Sequence, residues 1–158
     1  MKILLIGATG QLGQTLIKTK PQNIEIVECS RSNIDLSNLE LINDFILSSD
    51  AKFVINSAAY TEVDKAELES ELAYQINAEA PKAIANAVSK TKGSLIHIST
   101  DFVFDGMKNI PYNPKDYVKP LGIYGKSKAK GEEYLLKLKN NHVVRTSWLY
   151  GDFGKNFC

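Results

Sequence analysis

Tyr124 and Lys128 are the residues of this chain whose types and spacing best suit acid–base chemistry. Residues four positions apart on a helix share a face, and a nearby ammonium favours ionisation of a phenol. We therefore expect Lys128 to lower the pKa of Tyr124 towards the working range of a proton donor. A Tyr-x-x-x-Lys pair also occurs on many helices as surface decoration. The pair is more informative here because Thr100 ends an earlier strand and offers a hydroxyl that can orient a carbonyl.

A glycine motif near the N-terminus predicts a dinucleotide site. It follows an apolar strand, Lys2–Ile6, and opens a predicted helix, Gln11–Lys20. Gly7 suits the sharp turn, Gly10 lets a pyrophosphate approach the backbone, and Gly13 allows tight helix-on-strand packing. Gln11 and Leu12 begin the helix, whose free N–H groups and positive end face the phosphates. A glycine triplet alone is weak evidence, but the strand–turn–helix context strengthens it.

The ends of the second and third strands extend this prediction. The second strand ends in Cys29-Ser30-Arg31, where sites that prefer NAD carry an acid, and Glu28 lies one position too early. Arg31 therefore favours a 2′-phosphate and NADPH, with NADH as an alternative donor. A solvated surface arginine is the other interpretation. Small residues, Asn56-Ser57-Ala58-Ala59, follow the third strand, where they either admit a flat cofactor or simply pack.

The elements that must position these residues alternate between short apolar runs and amphipathic stretches. This order predicts an α/β fold with a doubly wound, parallel, Rossmann-type sheet over residues 1–158. The proline-containing stretch Asn109–Pro120 is interpreted as an ordered loop and not a linker. Ser37 to Glu40 has the pattern of a capping box. The other predicted elements are strands at Ile24–Cys29, Phe53–Ile55, Ser94–Ser99 and from His142, and helices at Glu69–Thr91 and Lys126–Lys139.

Composition narrows the class of protein. The chain has 158 residues, a net charge of +1, 44% hydrophobic and 23% charged residues, which suits one globular domain. No basic stripe supports nucleic acid or an anionic membrane as a partner. The N-terminal apolar run is too short for a signal peptide or a membrane helix. Cys29 and Cys158 fit no metal or redox spacing, so a reduced thiol pair and a cytoplasmic location are expected.

At these motifs the sequence resembles the extended short-chain dehydrogenase/reductases and, more narrowly, the dTDP-4-dehydrorhamnose reductase family. The resemblance covers essentially the whole chain. The second, third and last of its motifs are specific to the reductases. The motifs are Gly-Ala-Thr-Gly-Gln-Leu-Gly at 7–13, Asn-Ser-Ala-Ala-Tyr-Thr-Glu-Val-Asp-Lys-Ala-Glu at 56–67, Ser-Thr-Asp-Phe-Val-Phe-Asp-Gly at 99–106, Pro-Leu-Gly-Ile-Tyr-Gly-Lys-Ser-Lys at 120–128, Gly-Glu at 131–132 and Arg-Thr-Ser-Trp-Leu-Tyr-Gly at 145–151.

The resemblance implies NADPH-dependent reduction of the 4-keto group of a dTDP-deoxyhexose. Tyr124 would then give the proton, Lys128 would hold the nicotinamide ribose and tune Tyr124, and Thr100 would orient the carbonyl. It also implies that Asp35 and Leu36 border the adenine. Three further positions match cofactor contacts of the family, namely Ala58, Ala59 and Thr61.

Two matched residues keep alternative roles. Asn77 matches a helix asparagine of the family and either orders a proton-relay water or serves as a capping or packing residue. Trp148 matches an aromatic residue that faces the substrate, but a lone tryptophan is equally a core residue.

Other positions depart from the wider family. Related dehydratases resemble Thr-Asp-Glu at the strand end, whereas Phe102 follows Asp101 here, so dehydration is disfavoured. The reductases often have tyrosine at that position, and Phe102 lacks the hydroxyl that meets the sugar. Gln14-Thr15 offers no glutamate of the kind that bridges subunits through a metal, so no metal is expected.

The resemblance also bears on the region after Arg145. Family members continue past Asn156-Phe157-Cys158 with a region that closes over the sugar nucleotide, so this chain is expected to lack one wall of that pocket. Exposed sheet surface would then favour self-association, with a homodimer as one form. Another nucleotide-sugar enzyme of the superfamily and a non-catalytic NAD(P)-binding regulatory subunit remain alternatives.

Overall fold

A parallel five-stranded sheet organises the computed structural model, which describes residues 1–154. Its strands are β1 Lys2–Ile6, β2 Glu25–Cys29, β3 Phe53–Asn56, β4 Ser94–Thr100 and β5 Asn141–Thr146, arranged β2-β1-β3-β4-β5. Every neighbouring pair is parallel. The strand order reverses direction between β1 and β3, and ligands of doubly wound folds bind at such a switch point. The predicted fold class is confirmed.

The helices connect successive strands and bury their apolar faces on the sheet. They are α1 Gln11–Thr19, α2 Leu39–Ser48, α3 Ser70–Tyr74, α4 Ala80–Lys90 and α5 Ile123–Leu135. The main core lies where α2 and α4 cover the sheet, and Leu4, Val54 and Leu95 from three strands meet Ile42 and Ile84 there. Continuous apolar strands are what a sheet covered by crossover helices requires. Among the described helices, none combines the length and the apolar character needed to cross a lipid bilayer.

The predicted helix Glu69–Thr91 is divided in the structure. Gln75–Glu79 forms a π-helical segment between α3 and α4, and Asn77 lies at its middle. One extra residue in a helical turn rotates the following side chains, and such segments are frequent at functional sites. Hydrophobic periodicity does not reveal a π segment, because it resembles a helix with one irregular turn.

One predicted helix start and one predicted helix cap were wrong. Helix α5 begins at Ile123 and not at Lys126, because the Ile123 N–H donates to Glu67 Oε1 at 2.7 Å, from a residue distant in sequence. The predicted capping box at Ser37 does not form. The residue before α2 is Asn38, which makes no side-chain cap, and Ser37 Oγ donates to Asp35 Oδ1 at 2.8 Å.

The stretch Asn109–Pro120 lies in a loop held by its own contacts, as predicted. The rings of Phe104 and Tyr112 stack with centroids 4.2 Å apart, and Tyr112 Oη donates to Asp105 Oδ1 at 2.8 Å. Lys119 N–H returns to the Val103 carbonyl oxygen at 2.9 Å. These contacts therefore hold the loop in one ordered conformation after β4.

Cys29 is a buried free thiol at the end of β2, and burial raises its pKa to about 11. The expected reduced state of the two cysteines remains a prediction. Cys158 lies outside the described residues.

Candidate functional site

A cleft of about 640 Å³ opens at the carboxyl ends of the strands. This volume lies within the range of small-molecule and cofactor sites. Its lining brings together all the predicted site residues except Gly13, which lies beneath it. They are Gly7, Gly10, Gln11, Leu12, Arg31, Asp35, Leu36, Ala58, Ala59, Thr61, Thr100, Phe102, Tyr124, Lys128 and Trp148.

The glycine loop has no room for side chains at two positions. Gly7 has φ +84°, and a Cβ there would lie 2.6 Å from the Ala58 backbone nitrogen. A Cβ on Gly13 would lie 2.2 Å from the Gly7 carbonyl oxygen, which is a severe overlap with backbone. The first glycine therefore permits the turn out of β1, and Gly13 permits α1 to pack closely on that turn.

The N-terminus of α1 lies at the cleft and is suited to an anion. Gly10 precedes the helix in an extended conformation without a side-chain cap, and no acidic residue lies in the first turn. The first amides of a helix have no acceptor within it and carry the positive end of its dipole. These amides, and the lack of a side chain at Gly10, fit the pyrophosphate of a dinucleotide.

Arg31 and Asp35 form a charged edge of the cleft beyond β2. Arg31 Nη2 lies 3.7 Å from Asp35 Oδ2, and the Arg31 side chain is 80% exposed. Hydrogen bonds from the Ser37 backbone and side chain, followed by the charge of Arg31, lower the pKa of Asp35. Arg31 is thus both a solvated arginine and a lining residue of the cleft, and the two interpretations of it are compatible.

Tyr124, Thr100 and Phe102 form the opposite part of the cleft. Tyr124 meets the Phe102 ring edge to face, with centroids 5.5 Å apart. Burial raises the pKa of Tyr124, a hydrogen bond with Thr100 lowers it, and the charge of Asp101 raises it further. The net direction is upward, so the expectation that Lys128 lowers the Tyr124 pKa is wrong for this arrangement. A phenol that keeps its proton is suited to act as an acid.

Lys128 lies under the floor of the cleft and is only 1% exposed. Its Nζ donates to the Ile98 carbonyl oxygen at 2.6 Å and lies 3.3 Å from His97 Nε2. Burial lowers the pKa of Lys128 to about 8, and the nearby charge of Glu132 opposes that shift. Lys128 Nζ is therefore held by β4, and the causes that shift the Tyr124 pKa are burial, Thr100 and Asp101.

Asn77 is engaged by the protein itself. Its Oδ1 accepts from the Tyr60 N–H at 2.9 Å, and its Nδ2 donates to the Tyr60 carbonyl oxygen and to Ser127 Oγ at 3.0 and 3.1 Å. A Cβ on Gly131 would lie 2.3 Å from the Asn77 carbonyl oxygen, so α5 packs directly on this residue. The geometry favours the packing role of Asn77 over the proton-relay role.

Trp148 lies at the rim of the cleft with 74% of its surface exposed and a left-handed backbone, φ +50°. The alternative that it is a core residue is therefore wrong. A large aromatic side chain at the rim of a cleft can contact a ligand.

A buried ionic network below Thr100 was missed from the sequence. Arg145 contacts Glu132 through Nε and Nη2, with Nη2 to Oε2 at 2.6 Å, and Ser99 Oγ donates to Glu132 Oε1. Arg145 Nη1 also donates to the Pro114 carbonyl oxygen at 3.2 Å. The network connects β4, α5, β5 and the loop after β4, and it fixes the end of the strand that carries Thr100.

His97 was also missed, although the sequence held a signal for it. It interrupts the apolar run of β4 and is fully buried. A polar side chain inside a buried strand needs a partner, and Asn56 and Lys128 supply two.

No metal site is evident in the part of the chain that the structure describes, because no three His, Cys, Asp or Glu side chains cluster there. The absence of a metal remains a prediction.

The fold is of the Rossmann type, and Tyr124 and Lys128 line the cleft at the carboxyl ends of its strands. Comparison with known proteins identifies the family. The model of the RmlD substrate binding domain family matches residues 1–158, and the chain belongs to this family.

Similar proteins support the same assignment. The chain is 41% identical over 159 residues to a dTDP-4-dehydrorhamnose reductase of Aggregatibacter actinomycetemcomitans, covering 99% of this chain and 54% of that protein. It is similar to the crystal structure of a dTDP-4-dehydrorhamnose reductase from Clostridium acetobutylicum, with TM-score 0.94, 43% identity, and coverage of 99% of this chain and 56% of the other. It also matches the Bacillus anthracis enzyme in complex with NADP, with TM-score 0.93, 37% identity, and coverage of 99% and 56%. The chain spans about half the length of the relatives it matches.

Proposed function

We propose that the chain provides the cofactor-binding and catalytic part of an NADPH-dependent dTDP-4-dehydrorhamnose reductase, which forms dTDP-L-rhamnose. The observation that carries this proposal is the single cleft that joins the glycine loop and Arg31 to Thr100, Tyr124 and Lys128. The relatives are named dTDP-4-dehydrorhamnose reductases, and the structure of one of them contains NADP. Such a reductase would take part in the synthesis of cell-surface polysaccharide in the cytoplasm.

The chemistry assigned to this chain's residues is a proton transfer beside a bound carbonyl. NADPH, when bound, supplies the hydride that reduces the carbonyl carbon. Tyr124 donates its proton to the carbonyl oxygen, and its raised pKa keeps that proton available until a substrate is in place. Thr100, which lines the cleft beside Tyr124, orients the same oxygen. Lys128 lies where it can reach the nicotinamide ribose from the cleft floor.

The cofactor is held in this proposal by the two ends of the cleft. The amides at the start of α1 bind the pyrophosphate, and Gln11 and Leu12 are the first residues of that helix. Asp35 and Leu36 border the adenine, and Arg31 contacts the 2′-phosphate. Ala58, Ala59 and Thr61 contact the nucleotide from the end of β3.

The part of the cleft next to Phe102 and Trp148 is where we propose that the sugar binds. Phe102 and Trp148 line this side together with Tyr124, and both Phe102 and Trp148 are exposed. We propose that residues 1–158 form the NAD(P)-binding domain. Sequence equivalent to the half of the relatives outside the match would then close over the nucleotide sugar. Comparing the products formed from several 4-keto sugar nucleotides would identify the preferred sugar.

Titration of NADPH and NADH into the purified chain tests the cofactor assignment. Following the nicotinamide fluorescence, we expect saturable NADPH binding that Arg31→Ala weakens by about tenfold, since one charge-assisted contact at an exposed site is lost. Binding of NADH is expected to change little. Lys139→Ala is the matched control, because Lys139 is an exposed cation just before β5, at the opposite end of the sheet. A folded chain that binds neither nucleotide would contradict the proposal.

Self-association is a separate proposal. Phe53, Ile96 and Val144 lie on the strands with 42%, 37% and 43% of their surfaces exposed. Apolar strand surface of this kind favours contact with a second copy, and we propose a homodimer. Sedimentation equilibrium tests it, and a strictly monomeric chain at high concentration would refute it.

A further inference from the structure

A buried chain of three side chains runs from β3 to the floor of the cleft. Asn56, His97 and Lys128 are 0%, 0% and 1% exposed. Asn56 Nδ2 lies 3.1 Å from His97 Nδ1, and His97 Nε2 lies 3.3 Å from Lys128 Nζ. The strands β3 and β4 and the helix α5 each contribute one of these side chains. These contacts therefore join the elements that form the cleft floor.

The backbone fixes the orientation of the Asn56 amide. The Ala58 N–H donates to Asn56 Oδ1 at 3.1 Å, so that oxygen must face Ala58. A flipped amide would place its NH₂ group against this N–H, donor against donor. Asn56 Nδ2 therefore donates to His97, and His97 Nδ1 must accept.

The acceptor role of Nδ1 determines where the histidine carries its proton. Neutral imidazole holds one N–H, so the proton of His97 resides on Nε2. Burial, and then the charge of Lys128, place the pKa of His97 well below 6.5, which excludes the doubly protonated ring at neutral pH. His97 therefore presents an N–H donor to Lys128.

This donor distinguishes the two protonation states of Lys128. An ammonium has three donors and no acceptor, so it is repelled by the His97 Nε2–H. An uncharged amine has a lone pair that accepts from Nε2–H while one of its own hydrogens bonds the Ile98 carbonyl oxygen at 2.6 Å. The uncharged amine therefore gains a hydrogen bond from His97 that the ammonium lacks, an effect that adds to burial in lowering the Lys128 pKa.

Few other charged groups near Lys128 affect its pKa. On α5 it is faced by Glu132, whose charge raises its pKa, and by Tyr124 one turn earlier. Glu132 is itself neutralised by Arg145 from β5, and the β3 and β4 neighbours, Asn56 and His97, are neutral. The amine and the ammonium are consequently close in free energy near pH 8.

We propose that His97 is a positioning residue for Lys128, which holds Nζ against β4 and favours the uncharged amine over the ammonium. The inference rests on the proposed function for its purpose, because that function places Lys128 at the nicotinamide ribose. Its central claim, the tautomer of His97 and its effect on Lys128, concerns the chain without nucleotide. It can therefore fail or succeed independently of cofactor binding.

Nuclear magnetic resonance of the purified chain tests the claim directly. The chain has two histidines, so long-range ¹⁵N–¹H correlations give two ring patterns, and His142 is exposed. We expect the His97 ring to be the neutral Nε2–H tautomer from about pH 6 to 10. With ¹³C-labelled lysine, one side chain, assigned by its loss in Lys128→Met, is expected to titrate near 8, below the other lysines.

A substitution then separates positioning from packing. His97→Gln places a carboxamide near Nε2, and its oxygen can turn to accept from the ammonium. We expect the Lys128 pKa to rise by about one to two pH units. His142→Gln, the matched control, leaves the Lys128 pKa unchanged.

Three results would overturn the proposal. They are an Nδ1–H tautomer of His97, a Lys128 that titrates together with the surface lysines, and a folded His97→Gln variant with an unchanged Lys128 pKa. If His97→Gln does not fold, the two wild-type readings decide the proposal. If the spectra are as expected but the chain does not bind NADPH, the proposed function is rejected. The inference about His97 and Lys128 is then still supported.

Discussion

Gly13→Ala is expected to destabilise the chain although alanine is the better helix former. Gly13 lies in α1, where alanine gains about 1 kcal/mol over glycine. Its new Cβ would lie 2.2 Å from the Gly7 carbonyl oxygen and 2.8 Å from Ala8 Cα. Both contacts are with backbone, so no flexible side chain can move away.

The magnitude follows from these two opposed effects. Overpacking of a well-packed site costs about 1–3 kcal/mol, and contact with backbone places Gly13→Ala at the upper end of this range. After the gain in helix propensity, the net loss is about 2 kcal/mol. For a chain of this size that corresponds to a Tm lower by about 4–8 °C.

Thermal unfolding followed by far-ultraviolet circular dichroism measures this change. Gly151→Ala is the control, because its Cβ would meet Thr15 Oγ1 at an ordinary 3.6 Å. A weaker affinity for NADPH is expected to accompany the lower Tm, since α1 must move away from the phosphate loop. A Gly13→Ala chain as stable as the wild type would refute the reasoning from close packing.

Two further predictions concern buried charges. Glu132→Gln leaves the Arg145 guanidinium, whose side chain is 18% exposed, without its counter-charge, and we expect a loss of about 3–5 kcal/mol in urea unfolding. Glu133→Gln, on the exposed side of α5, is expected to change little, and equal effects of the two substitutions would contradict this account. For Lys128, an anionic nucleotide raises a pKa that is about 8 in the free chain, so NADPH affinity is level below pH 8 and falls by up to about tenfold per pH unit above it. Isothermal titration at several pH values measures this, and constant affinity from about pH 7 to 9.5 would disprove it.

Much of the fold could be predicted because its signals are local. Each strand is a short apolar run, and the glycine motif lies directly between β1 and α1. The start of α5 could not be predicted, because its first amide is held by Glu67, more than fifty residues earlier in the chain. The π segment at Asn77 was hidden for a related reason, since contacts with Tyr60 and Ser127 stabilise it.

The sequence also determined which residues line the cleft. The carboxyl ends of parallel strands meet at one edge of the sheet, so residues that follow successive strands must converge there. Arg31 and Ala58 follow β2 and β3, Thr100 ends β4, and the three residues converge in the cleft. The type of each residue and its place after a strand were enough to predict this.

The protonation of that cleft was decided only by the tertiary structure. A pKa depends on burial and on charges brought near by folding, and neither is visible in the spacing of two residues. Spacing alone suggested that Lys128 acts on Tyr124, whereas the folded chain turns Lys128 towards His97 and Ile98 and leaves Tyr124 with a raised pKa. The sequence by itself determined which groups share the cleft, and packing across β3, β4 and α5 decided which of them hold protons.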